Sequence, residues 1–258
     1  MHKHMLRALG LSLLATLGLM AFTAAGAQAE ALKGVAGRIL IGGVDATTGT
    51  IIEGSQENAG TLLIPALNTE IVCQKIKVVT GKVIGKGEGL GEILYEECAY
   101  WGTKTKIEGG KEILELTTKL ACEILEDSET KAPEAIVAKA KLLVVLHEVS
   151  AGVSDTYILA EADNATGAEG TLASVLVKTP GECPLPKLVE VTGSVVFKVT
   201  LGDLNLGQAE ELYVLVTASK ELSKAGLFTD KLKFGINPAF IDGSALLWLA
   251  SKANWGLI

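Results

Sequence analysis

From Arg38 onward the chain is written in short apolar runs cut by glycine, and such spacing predicts β-strands joined by turns. Ile39 to Ile41 ends at Gly42-Gly43, and Ile51-Ile52 is bracketed by Gly49 and Gly54. Leu62 to Ile64 stops at Pro65, which cannot donate to a central ladder, so these read as short edge strands. From Ile71 to Ile84, Val72, Ile76 and Val78 share one parity and Lys75 and Lys77 the other, the alternation of a half-buried strand. Gly85, Gly87, Gly89 and Gly91 then fall on every second position, which clears one face of the ribbon for something to approach closely, such as a second sheet.

Further strands are predicted at Ile93 to Tyr95, Ile113 to Thr118, Leu120 to Ile124, Tyr157 to Ala160, Leu172 to Val177, Leu188 to Leu201, Leu212 to Ala218, Leu232 to Phe234 and Ala245 to Ala250. The last is apolar on both parities, as expected of a strand covered on both sides. Pro133 to Val149 reads two ways. Pro133 suits a first helical turn and Ala135 to Leu146 are good helix formers, but Lys139 and Lys141 oppose Leu142, Val144 and Leu146 in parity, which favours a long strand. Polar text separates the runs at Glu126 to Lys131 and at Asp163 to Gly170, the latter holding the sequon Asn164-Ala165-Thr166.

One stretch recurs. Gly60, Thr61 and Leu62 lead to Thr69, Cys73 and then Val79, Thr80, Gly81, Val83 and Lys86; Gly170, Thr171 and Leu172 lead to Thr179, Cys183 and then Val191, Thr192, Gly193, Val195 and Lys198. Trp101-Gly102 recurs as Trp255-Gly256, and Gly193-Ser194 as Gly243-Ser244. About a dozen short strands with little helix give an all-β fold, a β-sandwich or a barrel, with units 60–150 and 170–258 as two related halves.

The N-terminus changes the picture of where this fold works. Basic text to Arg7, an apolar run from Leu9 to Ala25 and the small-x-small site Ala27-Gln28-Ala29 predict a signal peptide over residues 1–29, with an uncleaved anchor as the alternative. Cleavage leaves a single β-rich domain, 30–258, with no membrane span. It also removes Lys3 and Arg7 from 23 basic residues while keeping all 30 acidic ones, so the charge moves from -7 to about -9. Phosphate recognition needs clustered Lys and Arg, so nucleic acid is excluded as a partner. All four cysteines, Cys73, Cys98, Cys122 and Cys183, lie in the mature part, and an even number in an exported chain predicts two disulfides. Three connectivities are open. Pairing sequence neighbours gives Cys73–Cys98 and Cys122–Cys183, which would destabilise the unfolded chain by about 3.5 and about 4.3 kcal/mol.

Candidate chemistry is sparse. A Ser-His-Asp site would have to use His147, the one histidine of the mature chain, and no Gly-x-Ser-x-Gly elbow accompanies it. No cysteine pair has metal-ligand spacing and His147-Glu148 lacks a second histidine, so neither metal nor cofactor is expected. Glu96 and Glu97 are adjacent and in a regular strand would point to opposite faces, unable to share a substrate. Trp101, Trp248 and Trp255 are the large aromatics open to a carbohydrate, though packing at sheet corners accounts for them as well. An outer-membrane barrel would need aromatic girdles and long uninterrupted strands, whereas Lys and Glu recur inside nearly every run here.

The pattern Ile71-x-Cys73, Gly81, the glycine ribbon to Cys98, then Cys122 and Cys183 followed by Gly193-Ser194-Val195-Val196, resembles uncharacterised exported bacterial proteins that are β-rich with sparse cysteines. The resemblance covers Gly60 to the end and implies a secreted, disulfide-linked β-protein without assigning an activity or a site. The expectation is therefore an exported protein, periplasmic, secreted or at the cell surface, with no catalytic residues and a structural or binding role toward cell-envelope or extracellular components. A carboxylate-dependent hydrolase acting on carbohydrate and a carrier of a small apolar ligand inside a closed barrel are the alternatives. Protein recovered after export should begin at Glu30 and titrate no free thiol; N-terminal sequencing and a thiol assay under denaturing conditions check both, and four reactive thiols would contradict the disulfide reading.

Overall fold

The computed structural model describes residues 32–56, 59–108, 111–119, 122–125, 134–162, 170–178, 185–201, 213–229 and 231–258. The leader, the charged loop 126–131, Asn164 and Cys183 lie outside these. In chain order the strands are β1 (Val35–Ala36), β2 (Ile39–Ile41), β3 (Val44–Asp45), β4 (Ile52–Gln56) and β5 (Gly60–Ile64). After a 3-10 turn at Pro65–Leu67 come β6 (Thr69–Val83), β7 (Glu88–Glu108), β8 (Lys111–Lys119), β9 (Glu123–Ile124), β10 (Ile136–Ser150) and β11 (Val153–Ala162). The rest are β12 (Thr171–Lys178), β13 (Leu188–Thr192), β14 (Ser194–Leu201), β15 (Tyr213–Thr217), helix α1 (Ser219–Lys224), β16 (Lys233–Phe234), β17 (Asn237–Pro238), β18 (Phe240–Asp242), β19 (Ser244–Leu249) and β20 (Trp255–Leu257).

Eight of these strands close on themselves. β4 pairs β6, β6 pairs β7, and the ladder continues through β10, β11, β14, β15 and β19 back to β4, every pair antiparallel. The order around the ring is the order along the chain, which makes an up-and-down barrel rather than a sandwich. Alternation then sorts the side chains. On β10, Ala138, Ala140, Leu142 and Val144 pack inward while exposed Lys139 and its neighbour Lys141 point out, so the region with two readings is a strand. Lysines and glutamates of the outer face pair across strands, as in Lys141–Glu88 at 3.1 Å and Lys198–Asp155 at 2.7 Å. Apolar inside and charged outside is the reverse of a lipid-embedded barrel.

A second tier sits on one end of the ring. Above Ser55, the place beside β6 passes from β4 to β5, whose Gly60 pairs Cys73; on β10 it passes from β11 to β12 at Ala138↔Ala173. Gly193 and Gly243 mark the corners where β13 and β18 of this tier drop into β14 and β19 of the ring. Gly193 has φ +102°, and a Cβ there would lie 2.3 Å from the Lys231 carbonyl oxygen. The recurring Gly-Ser pairs are therefore corner glycines followed by buried serines, Ser194 and Ser244. Both copies of the longer repeat form hairpins that lead into the ring, the first through β6 itself and the second through β13 and the Gly193 corner into β14. Their registers differ, with Gly60 opposite Cys73 in one and Thr171 opposite Thr192 in the other.

Three expectations about facing residues are corrected. Glu97 adopts a left-handed conformation, φ +54°, which resets the alternation of β7. Glu96 and Glu97 consequently share the outer face, pairing with Lys77 at 2.9 Å and Lys75 at 2.5 Å, while Tyr95 on one side of the reset and Cys98 and Tyr100 on the other all turn inward. On β6, Ile71 and Cys73 face the core instead of Val72, so Val72 does not share a face with Ile76 and Val78. β19 is not covered on both sides either: Leu247 and Leu249 are buried, but Leu246 and Trp248 remain half-exposed on the outside, where the Trp248 indole N–H donates to Glu53 at 2.8 Å.

The other end of the ring is floored by a small sheet of β20, β2 and β3. Trp255 and Leu257 reach the interior with Ile39, and Trp255 meets Tyr213 edge-on with centroids 4.9 Å apart. Outside the ring, α1 was not legible as a helix in the sequence. Its Leu222 packs with Leu32 and Phe228 over outward-facing Tyr157, Leu159 and Val196. Gly85 to Gly87 fall in the turn between β6 and β7 instead of in a strand, and there a Cβ on Gly87 would fall 2.1 Å from the Gly37 carbonyl oxygen, whereas one on Gly89, inside β7, would stand 3.2 Å from the Lys82 oxygen. The close approach expected there is made by the segment leading into β2. Gly87→Ala should therefore destabilise the protein by about 2–3 kcal/mol and Gly89→Ala by clearly less, read as midpoints in urea; equal effects would contradict the assigned contact.

Candidate ligand cavity

Small residues decide where the barrel is empty. Ala138 and Ala140 on β10, Ala160 on β11 and Ala173 on β12 line an upper space with Gly60, and Gly60 and Gly91 line a lower one, in an eight-stranded ring only just wide enough for larger side chains to fill. Two cavities of about 80 Å³ and about 70 Å³ result, stacked along the barrel. They share Gly60, Ile93, Tyr95, Phe197 and Ile241 as walls, so they adjoin as two apolar lobes at a pinch formed by these residues. The alanines that favoured a helix in the sequence are inward-facing lining of the upper lobe.

The upper part is braced by sulfur. Cys73 and Cys98 are directly opposed in the β6–β7 ladder with Cα atoms 3.9 Å apart and are disulfide-bonded, as pairing sequence neighbours proposed. Cys122 is buried in the same core and is also disulfide-bonded, and Cys183 lies outside the described residues. Tyr100 sits beside this bridge, its hydroxyl 2.9 Å from Thr69 Oγ1.

Polar groups gather at the corner next to Gly243. Thr61 donates to the Asp242 carbonyl oxygen at 3.3 Å, Gly243 N–H donates to Thr217 Oγ1 at 3.1 Å, and Thr217 Oγ1 lies 3.2 Å from an Asp242 carboxylate oxygen. Asp242 is the one carboxylate on the cavity walls. Nearby Glu70 titrates above the ordinary carboxylate range, chiefly because burial disfavours its charge and secondly because Asp242 repels it.

The remaining candidates are scattered. His147 stands on the outer face with Nδ1 3.0 Å from the Lys33 carbonyl oxygen, opposite Asp155 across the β10–β11 ladder. Asp155 is held below the usual carboxylate range by the hydrogen bond from Lys198, and no serine or cysteine is bonded to His147 among the described residues. Trp255 is in the floor, Trp248 on the outside of β19 and Trp101 half-buried in the second tier, so no aromatic platform joins them. Among the described residues no cluster of three or more His, Cys, Asp or Glu could hold a metal ion.

Fold and interior together define a closed up-and-down β-barrel with an apolar, partly empty core. Compared with protein families, with curated proteins and with solved structures, the chain shows no match in any of the three.

Because ionised Glu70 is disfavoured in the folded chain, its cost is present above its raised folded pKa and disappears below the unfolded value. Glu70→Gln should accordingly raise the melting temperature at pH 7, with the advantage shrinking as pH falls toward 4; an advantage that grows with acid would contradict the assignment.

Proposed function

We propose that this is an exported, non-enzymatic binding protein that holds a small apolar molecule inside its barrel. The observation that carries the reading is the pair of adjoining apolar cavities, the upper lined by Ala138, Ala160 and Ala173, that meet at the Tyr95–Phe197 pinch. An apolar cavity of about 150 Å³ admits benzene or xenon while excluding water, and the two lobes together are of that order. Export is supported by the leader text and by the buried bridge Cys73–Cys98, which suits an oxidising compartment. The charged outer faces support a barrel that meets water, or the polar surface of an envelope or extracellular partner, rather than lipid.

A carbohydrate hydrolase would need two carboxyl groups facing each other across a cleft. Asp242 alone reaches the cavity wall, and Glu96 and Glu97 are engaged with lysines outside. The binding reading therefore has the stronger support.

Toluene titrated into the mature protein should shift methyl resonances of Ile93, Val195 and Leu172 and leave those of Val35 and Val44 unmoved. Ala138→Leu, which fills the upper lobe, should weaken toluene binding by about tenfold or more while leaving the circular dichroism spectrum unchanged. Interior methyls that do not respond at saturating toluene would overturn the reading.

A further inference from the structure

The chain has four tyrosines. Three of them have hydroxyl partners: Tyr100 with Thr69 at 2.9 Å, Tyr157 donating to Asp155 at 3.3 Å and Tyr213 donating to the Trp255 carbonyl oxygen at 3.2 Å. Tyr95 is different. It projects from β7 into the pinch shared by both lobes, between Ile76 and Ile136 in register, and its hydroxyl has no hydrogen-bond partner among the described residues. Most but not all of its accessible surface is lost, and because the residue lines both lobes the surface it keeps is cavity wall.

The Tyr95 hydroxyl is not sealed off but borders the cavity without a protein partner among the described residues, where phenylalanine would fill the same space with no polar group. The neighbouring polar groups do not serve Tyr95, because the Thr61 and Thr217 hydroxyls are committed to Asp242 and Gly243 at the corner. Burial pushes the Tyr95 hydroxyl up to about 12, so at neutral pH it keeps its proton and has it to donate.

We infer that the molecule held in the barrel carries one hydrogen-bond acceptor, a carbonyl or ether oxygen on an otherwise apolar frame, and that Tyr95 donates to it at the pinch. This rests on the cavity-binding reading and sharpens it. At the corner near Gly243 the Thr61 and Thr217 hydroxyls are engaged with Asp242 and Gly243, which leaves Tyr95 as the donor at the pinch. A ligand spanning the pinch would place hydrocarbon in both lobes and its oxygen between them.

Cyclohexanone and methylenecyclohexane have nearly the same shape and differ in offering an acceptor oxygen, so the pair isolates the bond. Both would be titrated by NMR into the mature wild-type protein and into Tyr95→Phe. The expected result is that Tyr95→Phe weakens cyclohexanone by about fivefold, the worth of one neutral hydrogen bond, and leaves methylenecyclohexane within twofold. The variant should also melt no lower than wild type, since it loses a hydroxyl that has no protein partner. An unchanged cyclohexanone affinity, or an equal loss for both ligands, would overturn the role of Tyr95 while leaving the cavity reading standing. Failure of both compounds to bind wild type would overturn the two together.

Discussion

Closing eight strands into a ring fixes how wide its interior can be, and nearly every other feature of this protein answers to that width. Where inward residues are large, as with Tyr213, Trp255, Leu257 and Val144 near the floor, the ring is filled. Where backbone must cross close to the wall, side chains vanish: Gly87 makes room for the segment at Gly37, and Gly81 for the Ile52 carbonyl oxygen. Between these ends Ala138, Ala140, Ala160 and Ala173 are too small to fill the interior, and the space stays open. The same small residues thus have two meanings, close packing at one level and a cavity at the next.

The second tier works because alternation can be reset. A regular strand sends Tyr95 and Cys98 to opposite faces, since they are an odd number of residues apart. The left-handed step at Glu97 turns both inward, which places the Cys73–Cys98 bridge and Tyr100 in the upper core while keeping Tyr95 in the lower one. It also leaves two adjacent glutamates on the outside opposite two lysines. Those surface ion pairs contribute little, about 0–1 kcal/mol each. Each fully buried side chain such as Ile64, Ile71 or Leu159 contributes about 1.5–3 kcal/mol, so burial and closure hold the fold while charge keeps its exterior in water.

This division also shapes the function proposed. The Thr61, Thr217 and Tyr100 hydroxyls are satisfied at the Gly243 corner or beside the bridge, whereas the Tyr95 hydroxyl at the pinch has no partner among the described residues. A binding site built this way recognises a ligand mainly by size and dryness and orients it with a single donor.

Several levels of this structure could be read directly from the residues. Period-two alternation and glycine punctuation are local properties, so Lys139 and Lys141 opposing Leu142 and Val144 were enough to make Ile136–Ser150 a strand, and the glycine ribbon announced a close approach. Pairing sequence neighbours also gave Cys73–Cys98. What the residues could not state is which strand lies beside which, because ring closure joins β19 to β4 across nearly the whole chain. The face reset at Glu97 was hidden for a related reason: a glutamate in a left-handed conformation has no signature in the text, and only the packing around it holds it there. The cavity was hidden too. Ala138 and Ala140 look like helix formers in a line of letters, and whether a small side chain leaves a void depends on what stands opposite, which tertiary structure alone decides.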